Sequence, residues 1–473
     1  MTYGDPRGDR SPRGVWAIAL LACLMVAAQS SAPAADDSAG PRRDGRKGVG
    51  GSTTTYTKDI LPILQKSCMH CHRSNQVGPF PLETYEQAKK RADDIASVAG
   101  DRSMPPWQPA SGKGPRLKHD PSLTAAELSR FESWAMAGAP RGDEKDAPPP
   151  VKYAEGWALG TPDMILEMTE PFEVPASGPD LYRCFVIPTN LRRDLAISAV
   201  EYQPGNRRVV HHVMAFLDTT GAGRDKDASD PGPGYTSYSS AGVPVEGDLG
   251  GWAAGNSVHH LPDGIGRPVP AYSDVLLQVH YHPTGKRETD RTRLGLHFCK
   301  KPVRQMLHWA NATNDRFKLP AGQADVEVKA TWNVPVDVEA LGVTPHMHQL
   351  GRSFRMFAVF PGGRTEDLLH IDAWDPNWQN TYYFDKPITL PKGAIVKLVA
   401  HYDNSAHPRN PHSPPKAVGW GPSVGDEMCV GYIGVVKKGQ DLTRPGEQDD
   451  LFEILTKQYM RKTIRDQSAR AGR

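Results

Sequence analysis

The chain has 473 residues, too many for one ordinary core, so roughly two to four domains are expected. A content of 38% hydrophobic and 23% charged residues excludes a disordered chain, and a formal net charge of +2 excludes the basic excess that nucleic-acid binding needs. With 45 Gly and 43 Pro, turns and short strands are favoured over long helices.

The N-terminus reads as an export signal over residues 1–35. Arg7, Arg10 and Arg13 form a positive region, diluted by Asp5 and Asp9, and Gly14–Ala28 is apolar. The small residues Ser30, Ser31, Ala32, Ala34 and Ala35 then suit cleavage. An exported, periplasmic or otherwise extracytoplasmic protein is expected, in an oxidising compartment. Leu20–Cys23 faintly resembles a lipoprotein box, which would anchor lipid at Cys23, but the apolar run continues past it. Residues 36–55 are a polar Gly/Ser/Arg linker.

From Tyr56 the texture changes. Ile60, Ile63 and Leu64 fall at helical spacing and lead into Cys68-Met69-His70-Cys71-His72. C-x-x-C-H is the attachment signature of c-type haem: two thiols add to the vinyls and the adjacent His72 becomes the proximal ligand. The rival readings are a redox pair or half a zinc site. Zinc fits poorly, since four ligands within five residues give bad tetrahedral geometry. Met104, before Pro105 and Pro106, is the candidate second axial ligand, because a thioether paired with His raises the haem potential. Thr124 and Glu127 form a capping box that starts a helix running through Trp134, and Gly138-Ala139-Pro140 stops it. Residues 56–142 thus resemble a small class I cytochrome c, an all-α domain.

Residues 143–159 carry Pro148-Pro149-Pro150 and read as a stiff linker. Beyond it come short alternating runs broken by Gly, Pro and Asn, which suit a sandwich or jelly roll. Met164–Met168, Tyr182–Ile187, Ala196–Tyr202, Arg208–Phe216, Val275–Tyr281 and Leu294–Cys299 make up a first half over 160–300. Asp325–Ala330, Leu341–Gly351, Phe354–Phe360, Ala394–Tyr402 and a strand holding Met428 make up a second over 301–437. Asp218–Gly251 has no periodicity and is expected to be a mobile surface loop. Within the tail, 438–473, Asp449–Arg465 reads as an amphipathic helix with no function assigned.

Four stretches carry candidate chemistry. His346 and His348 are two apart, so on a strand both imidazoles share a face. Two imidazoles cannot fill a metal's coordination sphere, and His211-His212, Gln278-Val279-His280 and Asp426-Glu427-Met428-Cys429 offer the remainder. Any one of these alone is more often packed core than ligand. Asp426 and Met428 share strand parity, so spacing leaves open a two-histidine, one-carboxylate iron site through Asp426. The adjacent His211 and His212 would point to opposite faces of a regular strand and could share a metal only at a bulge or strand end.

Together these strands resemble the copper type II, ascorbate-dependent monooxygenases, a family that includes peptidylglycine α-hydroxylating and dopamine β-monooxygenases. The resemblance covers about residues 160–436. It implies two jelly-roll-like β-sandwich domains with one copper each, giving a multidomain chain of a small all-α cytochrome c-like domain and two all-β sandwiches. It implies one copper on His211, His212 and His280, storing an electron, and a second on His346, His348 and Met428, where dioxygen and a substrate C–H bond react. A thioether in that second set favours Cu(I). Gln278 and Tyr432 join His346, His348 and Met428 as implied catalytic residues. Thr344 stands where the peptide-processing relatives hold a substrate carboxylate with arginine, and Val430 replaces an asparagine, so the glycine-extended peptide substrate is not carried over. The family's disulfides are mostly missing here, and Cys184 with Cys299 is the expected pair, leaving Cys429 free.

The leading expectation is an exported hydroxylase with two copper ions and one covalent haem c. Its partners would be dioxygen, an organic substrate the sequence does not identify, and a periplasmic electron donor or ascorbate-like reductant, with no nucleic acid. The alternatives are a non-catalytic haem/copper electron carrier or copper-handling protein, and a structural β-sandwich whose histidines merely pack.

Overall fold

A computed structural model describes residues 53–471 except 75, 77, 154–155, 239, 254–257, 422 and 424, and the side chains of 462–471 are not described. The export signal, Cys23 and nearly all of the first linker lie outside the described residues.

The first body is helical. A wide turn over Tyr56–Ile60 runs into the helix Leu61–Ser67, followed by Tyr85–Lys90, Ala92–Gly100 and Ala125–Met136. The last begins with the expected capping box: Thr124 N donates to Glu127 Oε2 at 2.8 Å and Glu127 N donates to Thr124 Oγ1 at 3.2 Å. Ile60, Leu64, Ile95, Phe131 and Trp134 close its core.

The rest of the described chain is mainly β. In the first sandwich one sheet runs Met164–Glu167, Arg293–Phe298, Leu195–Gln203, Ile265–Val269, Gln305–Met306. The facing sheet runs Tyr235–Thr236, Leu181–Pro188, Asp274–Tyr281, Val210–Asp218, Gly247–Ala253. Val213, Leu277, Val279 and Leu296 fill the space between them. The Asp274 strand is buried along its whole length, which is why it reads as a continuous apolar run interrupted only by Gln278 and His280. In the second sandwich His308–Thr313, Val430–Lys437, Val338–His346, Tyr382–Leu390 face Val326–Asn333, Ile395–Tyr402, Gly351–Val359, Thr365–Ile371. Here the alternation is clean: Val328, Ala330 and Trp332 point inward and their neighbours outward. Gln305–Met306 still pairs with Ile265–Gly266 of the first sandwich, and the strand from His308 pairs within the second.

Three expectations are corrected. The stretch 218–251 is not a structureless loop. It holds the helix Ala222–Ser229 and leads into the strand Gly247–Ala253, while Tyr235, Ala241 and Val245 close over Cys184, Phe216 and Leu276. Glycine hides the strand pattern because it is needed there: a Cβ on Gly251 would meet Val213 O at 2.6 Å and the Met214 sulfur. Cys184 and Cys299 are both free. Cys184 packs under the 218–251 segment, whereas Cys299 Sγ lies 3.7 Å from Ile265 O on the opposite sheet. Finally, His348 and Met428 lie just outside regular strands, which end at His346 and begin at Val430.

Candidate metal centres

The first histidine cluster is made by a fault in a ladder. The Val210 strand pairs with the Asp274 strand in the order Val210↔Tyr281, then His212↔His280, with the register shifting between Val210 and His212. His211 is the extra residue, and the bulge turns its side chain onto the face that His212 and His280 already share. His211 Nδ1 lies 3.2 Å from His212 Nδ1, and His280 Nδ1 lies 3.3 Å from His212 Nδ1. These three are the one group of three His, Cys, Asp or Glu ligand atoms drawn together among the described residues. Tyr182 stacks on His280 at 4.2 Å and fixes its ring plane.

The far nitrogen of His280 is committed. Its Nε2 donates to Asp180 Oδ2 at 2.8 Å, while His282 Nδ1 reaches Asp180 Oδ1 at 2.8 Å. Burial pushes the Asp180 carboxyl up, but hydrogen bonds and charge from both histidines outweigh it and hold the group at about 2. Asp180 therefore stays anionic and leaves the His280 Nδ1 lone pair for a metal.

The second cluster forms where a strand ends. His346 pairs with Val430 at the end of the ladder. Beyond it Glu427 Oε2 accepts from both His348 N at 2.9 Å and Met428 N at 3.1 Å, which ties the backbone of Met428 to that of His348. His346, His348 and Met428 are buried, at 2%, 1% and 0% exposure. His346 Nδ1 donates to Gln379 Oε1 at 2.6 Å and His348 Nδ1 donates to Asp426 O at 3.0 Å. Both Nε2 atoms are buried without a hydrogen-bond partner. Two orphaned imidazole nitrogens, with a buried thioether on the segment tied to them by Glu427, fit a soft metal such as Cu(I). Asp426 contributes its carbonyl to His348, while its carboxylate turns to Ser423 N at 3.2 Å. That arrangement argues against the iron alternative.

Burial holds the imidazoles neutral in both clusters. His211 is pushed down to about 4 by burial and then by His280. His212 and His346 are lowered further, chiefly by burial. Leu341 and Val436 of the second sandwich pack with Ile265 of the first, joining the two bodies.

Two implied catalytic residues sit differently. Gln278 shares the His280 face, but its amide donates to Ser237 O at 2.8 Å and Ser240 O at 2.7 Å, which ties down the 218–251 segment. Tyr432 packs with Met428, Val430 and Trp420 beside the second cluster. Thr344 forms a hydroxyl pair with Thr381 at 2.7 Å, so no charge stands at that position.

In the helical body Cys68 and Cys71 are free thiols, pushed up by burial, Cys68 to about 12. His72 Nδ1 donates to Phe80 O at 3.1 Å, leaving Nε2 for a ligand. The loop lies so close that a Cβ on Gly78 would sit 2.7 Å from Cys71 O. This donor set suits haem attachment. Met104 is half-buried after the Ala92 helix, its amide donating to Val98 O at 3.0 Å, and it stands outside the packed helical core. A cavity of about 480 Å³ lies where the three bodies meet, lined by His70 and Cys71, Trp252 and His259, and Asn380 and Tyr383.

Residues that sequence reading missed are the partners. Asp180, Gln379 and Glu427 hold the candidate ligands. The Glu427 carboxylate, fully buried, accepts from His348 N at 2.9 Å, Leu350 N at 2.6 Å and Met428 N at 3.1 Å. It was visible in the Asp-Glu-Met-Cys motif; the other two carried no signal.

No curated protein matches the chain. Among solved structures, the infectious bursal disease virus Gx strain is similar at 10% identity over 58% of this chain and 72% of that one, with a TM-score of 0.18. The infectious bursal virus derived T=1 particles follow at 8% identity over 62% and 72%, with a TM-score of 0.18. Likenesses that weak carry no argument. Residues 297–440, the stretch that holds His346, His348 and Met428, match the family model described as copper type II ascorbate-dependent monooxygenase, C-terminal domain, which supports that family of copper-dependent oxidoreductases for this part of the chain.

Proposed function

We propose that the protein is an exported copper monooxygenase with its own haem, which hydroxylates a C–H bond of an organic substrate with dioxygen. The reading is carried by the two partnerless, buried Nε2 atoms of His346 and His348, with Met428 tied to His348 through Glu427, inside the family-matched stretch. His346, His348 and Met428 would hold one copper, which would supply the redox chemistry toward dioxygen, and His211, His212 and His280 would hold another that would store an electron. The chain's own residues do the positioning. Gln379 and Asp426 fix the tautomers of His346 and His348, Asp180 fixes that of His280, and Tyr432 walls the substrate side of Met428.

Cys68, Cys71, His72 and Met104 would hold a covalent haem c, which would supply one-electron chemistry. Cys71 lines the cavity where both sandwiches meet the helical body, which suits delivery of electrons from a periplasmic donor or ascorbate-like reductant. A carrier without oxygen-dependent turnover is the competing reading, and the buried Cu(I)-type set argues for catalysis.

The test is metal and haem analysis of the mature exported protein. One covalent haem surviving denaturing electrophoresis and two coppers per chain are expected. Copper near zero sinks the monooxygenase reading, and haem lost on denaturation sinks the fused electron supply.

A further inference from the structure

Between its helices the first body sends out a strap, from Trp107 to Lys118, that lies along the second sandwich. Pro109 bridges Ile371 and Leu117 bridges Phe384. Ala110 N donates to His370 O at 2.7 Å, Lys118 N to Tyr383 O at 2.8 Å, and Asp385 N to Arg116 O at 2.8 Å. Trp107 stands edge-on to Tyr382 at 5.1 Å.

Gln108 does something more specific. Its Oε1 accepts from Asp375 N at 2.6 Å, and its Nε2 donates to Asp375 O at 3.1 Å and to Trp378 O. One side chain thereby holds both ends of the turn 375–378, which closes on itself through Trp378 N to Asp375 O at 3.2 Å. The residues flanking that turn support the second cluster. Gln379 accepts from His346 Nδ1 at 2.6 Å and donates to Pro376 O, within the turn, at 2.9 Å. Trp374 donates its indole N–H to His348 O at 3.1 Å.

We propose that Gln108 is a positioning residue for the copper held by His346, His348 and Met428, so that the helical body helps set the geometry of a site to which it contributes no ligand. This rests on the copper reading of that site. Without Gln108, the Asp375 amide and the Trp378 carbonyl lose this partner while Asp375 O keeps only Trp378 N, and a turn that relaxes to satisfy them moves Gln379. The His346 ring follows Gln379, because their hydrogen bond is what aims Nε2.

The test uses the full chain as Gln108→Ala and as the near-isosteric Gln108→Met, which keeps the packing and removes the hydrogen bonds. Cu(I) is titrated in competition with a chromophoric chelator, and copper–sulfur scattering is read by X-ray absorption. Affinity at the Met428-containing site is expected to fall about tenfold in both variants, the low end of the roughly 10–100-fold typical of outer-sphere changes, with a weaker sulfur signal. The three-histidine site in the same molecules should keep wild-type affinity, which also reports that the chain is folded. Lys113→Ala is the control. It removes the exposed pair with Asp372 from the same strap and should leave both sites unchanged. Wild-type affinity and sulfur signal in the Gln108 variants overturn the proposal, and so does an equal loss in Lys113→Ala. A wild-type chain that binds copper only at the three histidines overturns the copper reading and this inference together.

Discussion

The two candidate centres use the same residue type and present opposite nitrogens. In the first sandwich three Nδ1 atoms converge; in the second, two Nε2 atoms are left free. At His280, His346 and His348 the choice follows from what holds the other side of the ring, whereas His212 Nε2 is buried without a partner. His280 gives Nε2 to an anion, Asp180, whereas His346 and His348 give Nδ1 to neutral acceptors, Gln379 Oε1 and the Asp426 carbonyl. An anionic partner makes an imidazole a stronger donor and favours the higher oxidation state, while neutral partners and a thioether favour Cu(I). The backbone differs to match. A bulge inside a paired strand gathers the three imidazoles, and at the strand end Glu427 pins the backbone of Met428, the candidate third ligand.

The largest test of this contrast removes a ligand from each side. Met428→Ala should weaken Cu(I) binding at its site by more than the roughly 100-fold seen for outer-sphere changes, and oxygen uptake should fall with it. Reduction of the copper at the three histidines should persist. His280→Ala should instead leave oxygen uptake running while hydroxylation is lost, because the second electron is missing. Reductive titration with an oxygen electrode separates the two. Equal effects on both readouts would merge the sites into one function and favour a carrier.

Asp180→Asn is the next step down. It removes the anion behind His280 without touching a ligand. Copper affinity at the three-histidine site should fall by roughly 10–100-fold and its potential should rise, with the Met428 site unaffected. An unchanged potential would show that Asp180 is merely packed.

How much of this was readable beforehand follows from how each feature is encoded. Alternation exposed the strand Val326–Asn333, and a capping box exposed the helix from Ala125, because both are local and periodic. Parity alone required either a bulge or a strand end at His211 and His212, since adjacent residues of a regular strand cannot share a face, and the structure has the bulge. Asp180, Gln379 and Gln108 escaped notice because each is a single polar residue acting across tens to hundreds of positions, from 33 for Gln379 to 267 for Gln108. Hydrogen bonds at that range leave no period. The strand Gly247–Ala253 was missed for another reason: its glycines are demanded by close approach to Val213 and Met214, and they look like loop.

Glu427→Gln probes the strand-end architecture by stability. The carboxylate accepts three backbone N–H groups, and burial pushes it up to about 8 against the pull of those bonds. Glutamine has one accepting oxygen and must set its amino group against at least one N–H. A loss of about 1–3 kcal/mol is expected in urea unfolding of the metal-free chain. An unchanged midpoint would mean that Glu427 does not hold His348, Leu350 and Met428 together.

The smallest effect concerns His259, at the cavity between the bodies and outside both histidine clusters. Burial, then His119, Lys118 and His260, lowers it from 6.5 to about 4, and Tyr383 meets its ring edge-on at 4.3 Å. The folded chain therefore leaves this ring neutral over a range in which the unfolded chain protonates it. The unfolded state binds the extra proton, so stability falls as pH drops below 6.5 and stops falling near 4. At about 1.4 kcal/mol per unit the shift sets an upper bound of about 3 kcal/mol. The ring is partly exposed and solvent screens its neighbours, so about 1 kcal/mol between about pH 7 and about pH 5 is expected. The clustered histidines add slopes of the same sign, so the residue is isolated by difference. His259→Gln should make the urea midpoint less sensitive to pH over that window, while copper binding at both clusters stays at wild type. A pH slope equal to that of the wild type would show that His259 is solvated and that the junction is open to water there.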